Sequence, residues 1–347
     1  SKIHRSYDAN RFLTRFFFSV RFSNSMMLRI AYPNENDIFQ RHDSGVTPVH
    51  VLGNYYFKRG YFVKGRYSYK KKPTDWSKWQ FISPRLNFGV FSGTIEIKGT
   101  GTFNIELKFM KDDAELRREY VPNVHIGEIF ITCGQSNSAN SGETRTETET
   151  GQVYSFNGKN WTLAKDPQPM ATNDGGSPWP SMGDQLHKQL DIPIGIIAVG
   201  VGGSSVHEWL IDGPNFKEMR KALIAAHKFG VRAILWHQGE SDAVNNTPKS
   251  IYKERLMNII KTSHKFSKKT LDWFIARAAF VPEGDPKQIE DIVDAQNSVC
   301  KTDMAHYGPT TEDMLGPKWR HDNLHFNLDG LKEHGRRWAE VLMNHFF

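Results

Sequence analysis

The sequence predicts an α/β protein: a doubly wound, flavodoxin-like parallel sheet preceded by a small antiparallel β-sandwich domain. Two patterns carry this prediction. From about residue 48 to 110 the chain alternates with period two, as in Val63, Gly65, Tyr67 and Tyr69, then Phe91, Gly93, Ile95 and Ile97, then Phe103, Ile105, Leu107 and Phe109. After Asn123, short apolar runs alternate with helical stretches of 12 to 20 residues, the texture of βα units.

In the front part, Gly60, Pro73, Gly89 and Gly99 to Gly101 cut the alternating pattern into short strands, and no helical periodicity accompanies them. The polar stretch 111–119 reads as a linker or short connecting helix. The expected domains are therefore 1–123 and 124–347. In the rear part, residues 129–131, 194–199, 231–236 and 273–276 read as strands buried on both faces. Helices are expected at 181–190, 215–229, 249–265, 287–301 and 331–347, with Gly230 closing the second. Right-handed crossovers would then bring the carboxyl ends of consecutive strands to one side, where ligand chemistry gathers.

Composition excludes several function classes. The 347 residues are 38% hydrophobic and 24% charged, unlike collagen-like, disordered or disulfide-stapled chains. No apolar run approaches the ~20 residues of a membrane helix. Cys133 and Cys300 are too few for a disulfide framework or a four-cysteine zinc site. The chain begins with Ser, which fits either a signal peptide already removed or one whose remainder is residues 11–30, so an extracellular or periplasmic location is expected. Residues 1–123 carry 21 Lys and Arg against 11 Asp and Glu, whereas the rest carries 24 against 27. The +7 net charge therefore belongs to the front segment. Lys58, Arg59, Lys64, Arg66 and Lys70 to Lys72 mingle there with Tyr61, Tyr67, Trp76 and Trp79. No nucleic-acid motif accompanies them, so a solvated strand face is expected and no nucleic-acid partner.

Four polar clusters fall at predicted strand ends or in the loop before the last helix: Gly134-Gln135-Ser136-Asn137, Gly200 to Ser205, His237 to Asp242, and Asp322 to His325. Each has a bland explanation: glycine turns are common after strands, and Ser136 or Asp322 alone fits a helix cap. Together they supply a nucleophile, a base, an orienting carboxylate and hydrogen-bond donors, the set that acyl transfer requires.

These residues resemble a known family. The stretch Ile126 to Asn137, the Gly202-Gly203-Ser204 turn with Trp209, the run Trp236 to Asp242, and Asp322 with His325 are similar to the sialate O-acetylesterase and acetylxylan esterase branch of the SGNH hydrolases. Phe39-Gln40-Arg41 and the strand-rich front segment resemble the accessory domain of bacterial members. The resemblance implies a carbohydrate O-acetylesterase acting through a serine acyl-enzyme on an acetylated glycan. Ser136 is then the nucleophile, His325 the base and Asp322 its orienting acid. The oxyanion would meet the backbone N–H of Ser136, a backbone N–H of Gly203, with Gly202 as rival, and the side chain of Gln238. Glu240 is assigned a supporting role or a substrate contact.

Gln238 stands where the broader superfamily carries Asn, and the α/β-hydrolase Gly-x-Ser-x-Gly elbow is missing because Ser138 fills its last position. His321 and His325 are four apart like zinc-helix histidines, but Asp322 replaces the required Glu, so neither metal nor organic cofactor is expected. Trp179, Trp209 and Trp236 are candidates for sugar stacking or for core. Two other functions fit parts of the pattern: a non-catalytic carbohydrate-binding or adhesion protein, and an esterase of other small acyl esters. The oligomeric state is not legible.

Overall fold

A computed structural model describes residues 29–54, 61–82 and 90–347. Lys58, Arg59, Gly60, Gly89 and most of 11–30 lie outside the described residues. The front strands are β1 (Arg29–Tyr32), β2 (Ile38–Gln40), β3 (Val46–Asn54), β4 (Tyr61–Tyr69), β5 (Gln80–Ile82), β6 (Val90–Lys98), β7 (Gly101–Lys111) and β8 (Ala114–Gly134). One antiparallel sheet has the order β1-β3-β6, while β5, β4, β7 and the first part of β8 pair antiparallel in another. Alternate residues bury their side chains: Val49 and Val51 on β3, Ile95 and Ile97 on β6, and Ile105, Leu107 and Phe109 on β7. Phe91 meets Phe109 edge to face, ring centroids 5.5 Å apart.

The stretch 111–119 is neither linker nor helix. Lys111 pairs with Ala114 across a hairpin whose Asp112 has φ +50°, and β8 then runs 21 residues into the rear sheet. Its polar composition reflects an exposed ribbon, where Arg118 pairs with Glu115 at 2.8 Å and with Glu106 at 3.1 Å.

The rear elements are β9 (Val153–Phe156), β10 (Trp161–Leu163), α1 (Trp179–Leu190), β11 (Ile194–Ala198), α2 (Phe216–Phe229), β12 (Ala233–His237), α3 (Glu240–Val244), α4 (Lys249–Ser267), β13 (Asp272–Arg277), α5 (Pro286–Cys300), β14 (His306–Thr310) and α6 (Leu328–Phe346). The sheet order is β10-β9-β11-β8-β12-β13-β14, and every pairing from β9 to β14 is parallel. Period two divides the side chains between two helical layers. Phe130, Ala233, Leu235, Phe274 and Ala276 share a core with Trp179 and Leu186 of α1 and Trp338 and Leu342 of α6. Ile129, Ile131, Ile234, Trp236 and Ile275 share another with Leu223 of α2, Leu256 of α4 and Ile292 of α5. Each such fully buried aliphatic side chain contributes about 1.5–3 kcal/mol. Among the described residues no helix is long and apolar enough to cross a membrane.

The front strands are knotted to the rear sheet at one carboxylate. Glu128, fully buried on β8, accepts from Arg41, from Gln40 Nε2 at 2.7 Å and from Arg232 Nε at 2.8 Å. Gln40 also accepts the Ile129 N–H at 2.8 Å, beside β2 where it pairs parallel with β8. The Phe39-Gln40-Arg41 stretch thus closes this seam.

Candidate active site

The chain turns back at the centre of the sheet: β11 lies on one side of β8 and β12 on the other. A crevice opens at such a switch point, outside the carboxyl ends of the strands. Gly134 at the end of β8 is opposite His237 at the end of β12, and the Gln135 N–H donates to the His237 carbonyl at 2.9 Å. On the other flank, the Val201 N–H donates to the Gly134 carbonyl at 2.8 Å. A side chain at Gly134, whose φ is +134°, would place Cβ 1.9 Å from the His237 carbonyl oxygen, so glycine is required there. Three sequence clusters therefore meet within three adjacent strand ends.

Ser136 opens a short 3-10 turn, Ser136–Ser138, and is 6% exposed. The indole Nε1 of Trp179 holds this turn by donating to the Ser138 carbonyl at 2.9 Å. The turn after β11 is held in a similar way: Trp209 Nε1 donates to Ser204 Oγ at 2.9 Å, and Ser204 Oγ to the Val201 carbonyl at 2.8 Å. Trp179, Trp209 and Trp236 are fully buried, so their role is structural and none is a sugar platform. The two rival glycines separate here. Gly202 donates its N–H to Thr172 Oγ1 at 2.7 Å. Gly203, exposed and at φ +69°, has no acceptor for its N–H among the described residues, and neither does the Ser136 N–H.

Gln238 is placed in the floor of the site, fully buried. Its Nε2 faces three acceptors, Asp242 Oδ2 at 2.6 Å, Gln135 Oε1 at 3.1 Å and the Ser204 carbonyl at 3.2 Å, while its Oε1 accepts from Tyr252 at 3.0 Å. Two N–H bonds already directed at these partners leave none for an acyl oxygen. This arrangement makes Gln238 a brace, in place of the oxyanion donor expected from sequence.

Gln135, which sequence reasoning passed over, has the opposite arrangement. Its Oε1 accepts the backbone N–H of Ser241 at 3.1 Å and of Gly239 at 3.3 Å as well as Gln238 Nε2. Backbone N–H groups only donate, so they fix the orientation of this amide and turn Nε2 away from the floor. That Nε2 has no acceptor among the described residues and is not sealed from solvent. Counting donors in its own Gly-Gln-Ser-Asn motif was the available signal.

The fourth cluster sits on a loop closed by an antiparallel bridge between Arg320 and Phe326 and by the His321 N–H on the His325 carbonyl at 2.9 Å. Arg320, 2% exposed, anchors it through the carbonyls of Met314, Leu324 and Thr311. Asp322 Oδ2 lies 2.6 Å from His325 Nδ1, and Oδ1 accepts the Leu324 N–H at 2.9 Å and the N–H of His325. Partial burial alone would raise the Asp322 carboxyl, but the N–H groups of His325 and Leu324 and the imidazole hold it down at about 2. It is an anion at neutral pH.

This loop reaches the serine turn through Asn137. Asn137 Nδ2 donates to the Leu324 carbonyl at 3.3 Å and to Glu240 Oε1 at 3.0 Å. Glu240 is fixed beneath, its Oε1 also 3.2 Å from His237 Nε2. Burial alone would raise the Glu240 carboxyl, but His237 and Asn137 hold it at about 2. Its place is internal, under Asn137. Ser136 Oγ and His325 are not hydrogen-bonded to each other, while the residues beside them, Asn137 and Leu324, are; such bonds commonly tighten only when substrate binds.

Comparison with known proteins gives this arrangement a class. Residues 126–344 match the family model for carbohydrate esterases described as sialic acid-specific acetylesterases. The chain belongs to that family, and with it to the ester hydrolases. A probable carbohydrate esterase of Arabidopsis thaliana is 22% identical over 271 residues, covering 68% of this chain and 96% of that protein. A carbohydrate acetylesterase structure from Xanthomonas citri superposes with a TM-score of 0.57 at 17% identity, over 90% of this chain and 73% of its own. An Arabidopsis thaliana protein structure gives a TM-score of 0.53 at 19% identity, over 63% of this chain and 99% of its own. These two structural likenesses establish the fold.

Proposed function

We propose that this esterase removes O-acetyl groups from a glycan through an acyl-enzyme on Ser136. His325 takes the Ser136 proton as the oxygen attacks the acetyl carbonyl, then returns it to the departing sugar hydroxyl; Asp322 holds the imidazole in the tautomer that accepts at Nε2. Water then attacks the acyl carbonyl as His325 takes its proton, and His325 returns that proton to Ser136 Oγ as the acyl C–O bond breaks and acetate leaves. Negative charge on the carbonyl oxygen meets the N–H groups of Ser136 and Gly203 and the Nε2 of Gln135. Asn137 and Glu240 act as positioning residues that hold the His325 loop against the serine turn. The observation that carries this reading is the Asn137 bond to the Leu324 carbonyl, which ties the Ser136 turn to the loop of the 2.6 Å Asp322–His325 pair.

The strands up to residue 123 we read as an accessory β-sandwich, supported by the Phe91–Phe109 contact between its two sheets. Acetylated xylan, pectin and sialic acid are the first substrates to test for released acetate. Ser136→Ala should lower turnover by on the order of 10⁴-fold or more with the fold intact by circular dichroism. Unchanged release by that variant contradicts the assignment. Glycan binding by the full chain with no acetate release from any acetyl ester favours the adhesion reading instead.

A further inference from the structure

His321 has no place in the mechanism above, yet it stands beside it. The donor atoms of His321, Asp322 and His325 all lie within 4.8 Å of one another. Asp322 Oδ2 is 2.6 Å from His325 Nδ1 and 3.9 Å from His321 Nε2. The two imidazole rings face each other with centroids 6.2 Å apart and planes inclined by 29°. The backbone under them is fixed by the Arg320–Phe326 bridge and by the His321 to His325 hydrogen bond. His321 and Asp322 are exposed, so an ion reaches them directly from solvent.

We propose that these three side chains form a binding site for a divalent transition-metal ion of the zinc class, and that the bound ion silences the esterase. Two imidazole nitrogens with one carboxylate oxygen suit zinc and its neighbours, whereas calcium and magnesium favour all-oxygen shells. With metal–ligand bonds of about 2.0–2.2 Å, neighbouring donors on a tetrahedral ion stand about 3.4 Å apart. The widest donor separation, at most 4.8 Å, must close by up to about 1.4 Å and the 2.6 Å Asp322–His325 pair must open by about 0.8 Å, shifts within reach of rotating the exposed His321 and Asp322 side chains about the half-buried His325. Water would complete the shell. An ion there captures the carboxylate and the imidazole that catalysis requires, so His325 no longer accepts the serine proton. The silencing clause rests on the acyl-enzyme reading; the binding clause does not.

The test uses the full chain freed of metal with a chelator. Zn²⁺ is titrated by calorimetry, Co²⁺ is followed by its visible absorption as a probe of tetrahedral coordination, and acetate release is measured in parallel. One ion per chain is expected, with activity falling over the same concentration range and returning with chelator. His321→Ala and His321→Gln should keep the metal-free activity, weaken zinc binding by about tenfold or more, a scale that even outer-shell partners reach, and resist inhibition. Failure to bind one ion, or zinc binding and inhibition unchanged in both variants, overturns the proposal. If the chain binds zinc through His321 but cleaves no acetyl ester, the metal site stands and the acyl-enzyme reading falls.

Discussion

At Gln135 the side-chain oxygen is held by two backbone N–H groups and one amide, and the nitrogen has no acceptor among the described residues. Removing one oxyanion donor typically costs about 10²–10³ in kcat. Gln135→Ala should therefore lower kcat by that order with a small change in KM, read from steady-state acetate release. Gln238→Ala should act differently: it breaks bonds among Asp242, Tyr252 and Ser204 and so lowers the urea midpoint. Sequence alone pointed to Gln238 because its motif marks the branch; the Gln135 amide is oriented by partners more than 100 residues away in the chain, and the Gln238 amide is occupied by Asp242, Ser204 and Gln135 only once the chain is folded. Glu240 carries a pH prediction. Its carboxyl is at about 2 in the fold, below its ordinary range, so the stability it contributes is complete above about pH 4.5 and is lost as pH falls toward 2. The urea midpoint should fall between pH 5 and 3, and less steeply in Glu240→Gln; equal slopes in the two proteins contradict this role.

At the scale of elements, β8 is the member that both halves share. Its buried Glu128 neutralises Arg41 from the front strands and Arg232 beside β12. Glu128→Ala leaves two guanidinium groups facing a buried gap, and breaking such a pair costs about 3–5 kcal/mol. Equilibrium urea unfolding measures this, and a loss below about 1 kcal/mol, the scale of exposed pairs, contradicts the knot. Five of the six rear helices were legible to within a few residues because an apolar stripe every 3.6 residues is a strong signal, whereas the five-residue α3 is too short to show one. The strands β9, β10 and β14 were not, since β10 is a three-residue edge and β14 contains Gly308-Pro309. The continuity of β8 was hidden by its charged first half, where both sheet faces near residues 114–119 are exposed and carry no alternation.

For the whole molecule, legibility came from topology. A parallel order that turns back at β8 dictates that the loops after β8, β11 and β12 share one crevice, so motifs far apart in sequence point to one place. What the pattern did not reveal is how the fourth loop docks, which rests on Arg320 and Asn137 through backbone carbonyls that no sequence motif displays. Acyl length tests the substrate reading at this scale. Each added methylene that fails to fit costs about 1–3 kcal/mol, so acetyl esters should be cleaved at least about tenfold faster than butyryl esters by kcat/KM. Activity that rises with chain length favours an esterase of other acyl groups.

Covalent capture tests the site most directly. The full chain is treated with a phosphonate ester that traps activated serines, then digested and mapped by mass spectrometry. A single adduct on Ser136 is expected, with trapping slowed by on the order of 10³-fold or more in His325→Ala. An adduct on another residue, or undiminished trapping without the imidazole, contradicts a serine, histidine and aspartate acting together at these strand ends.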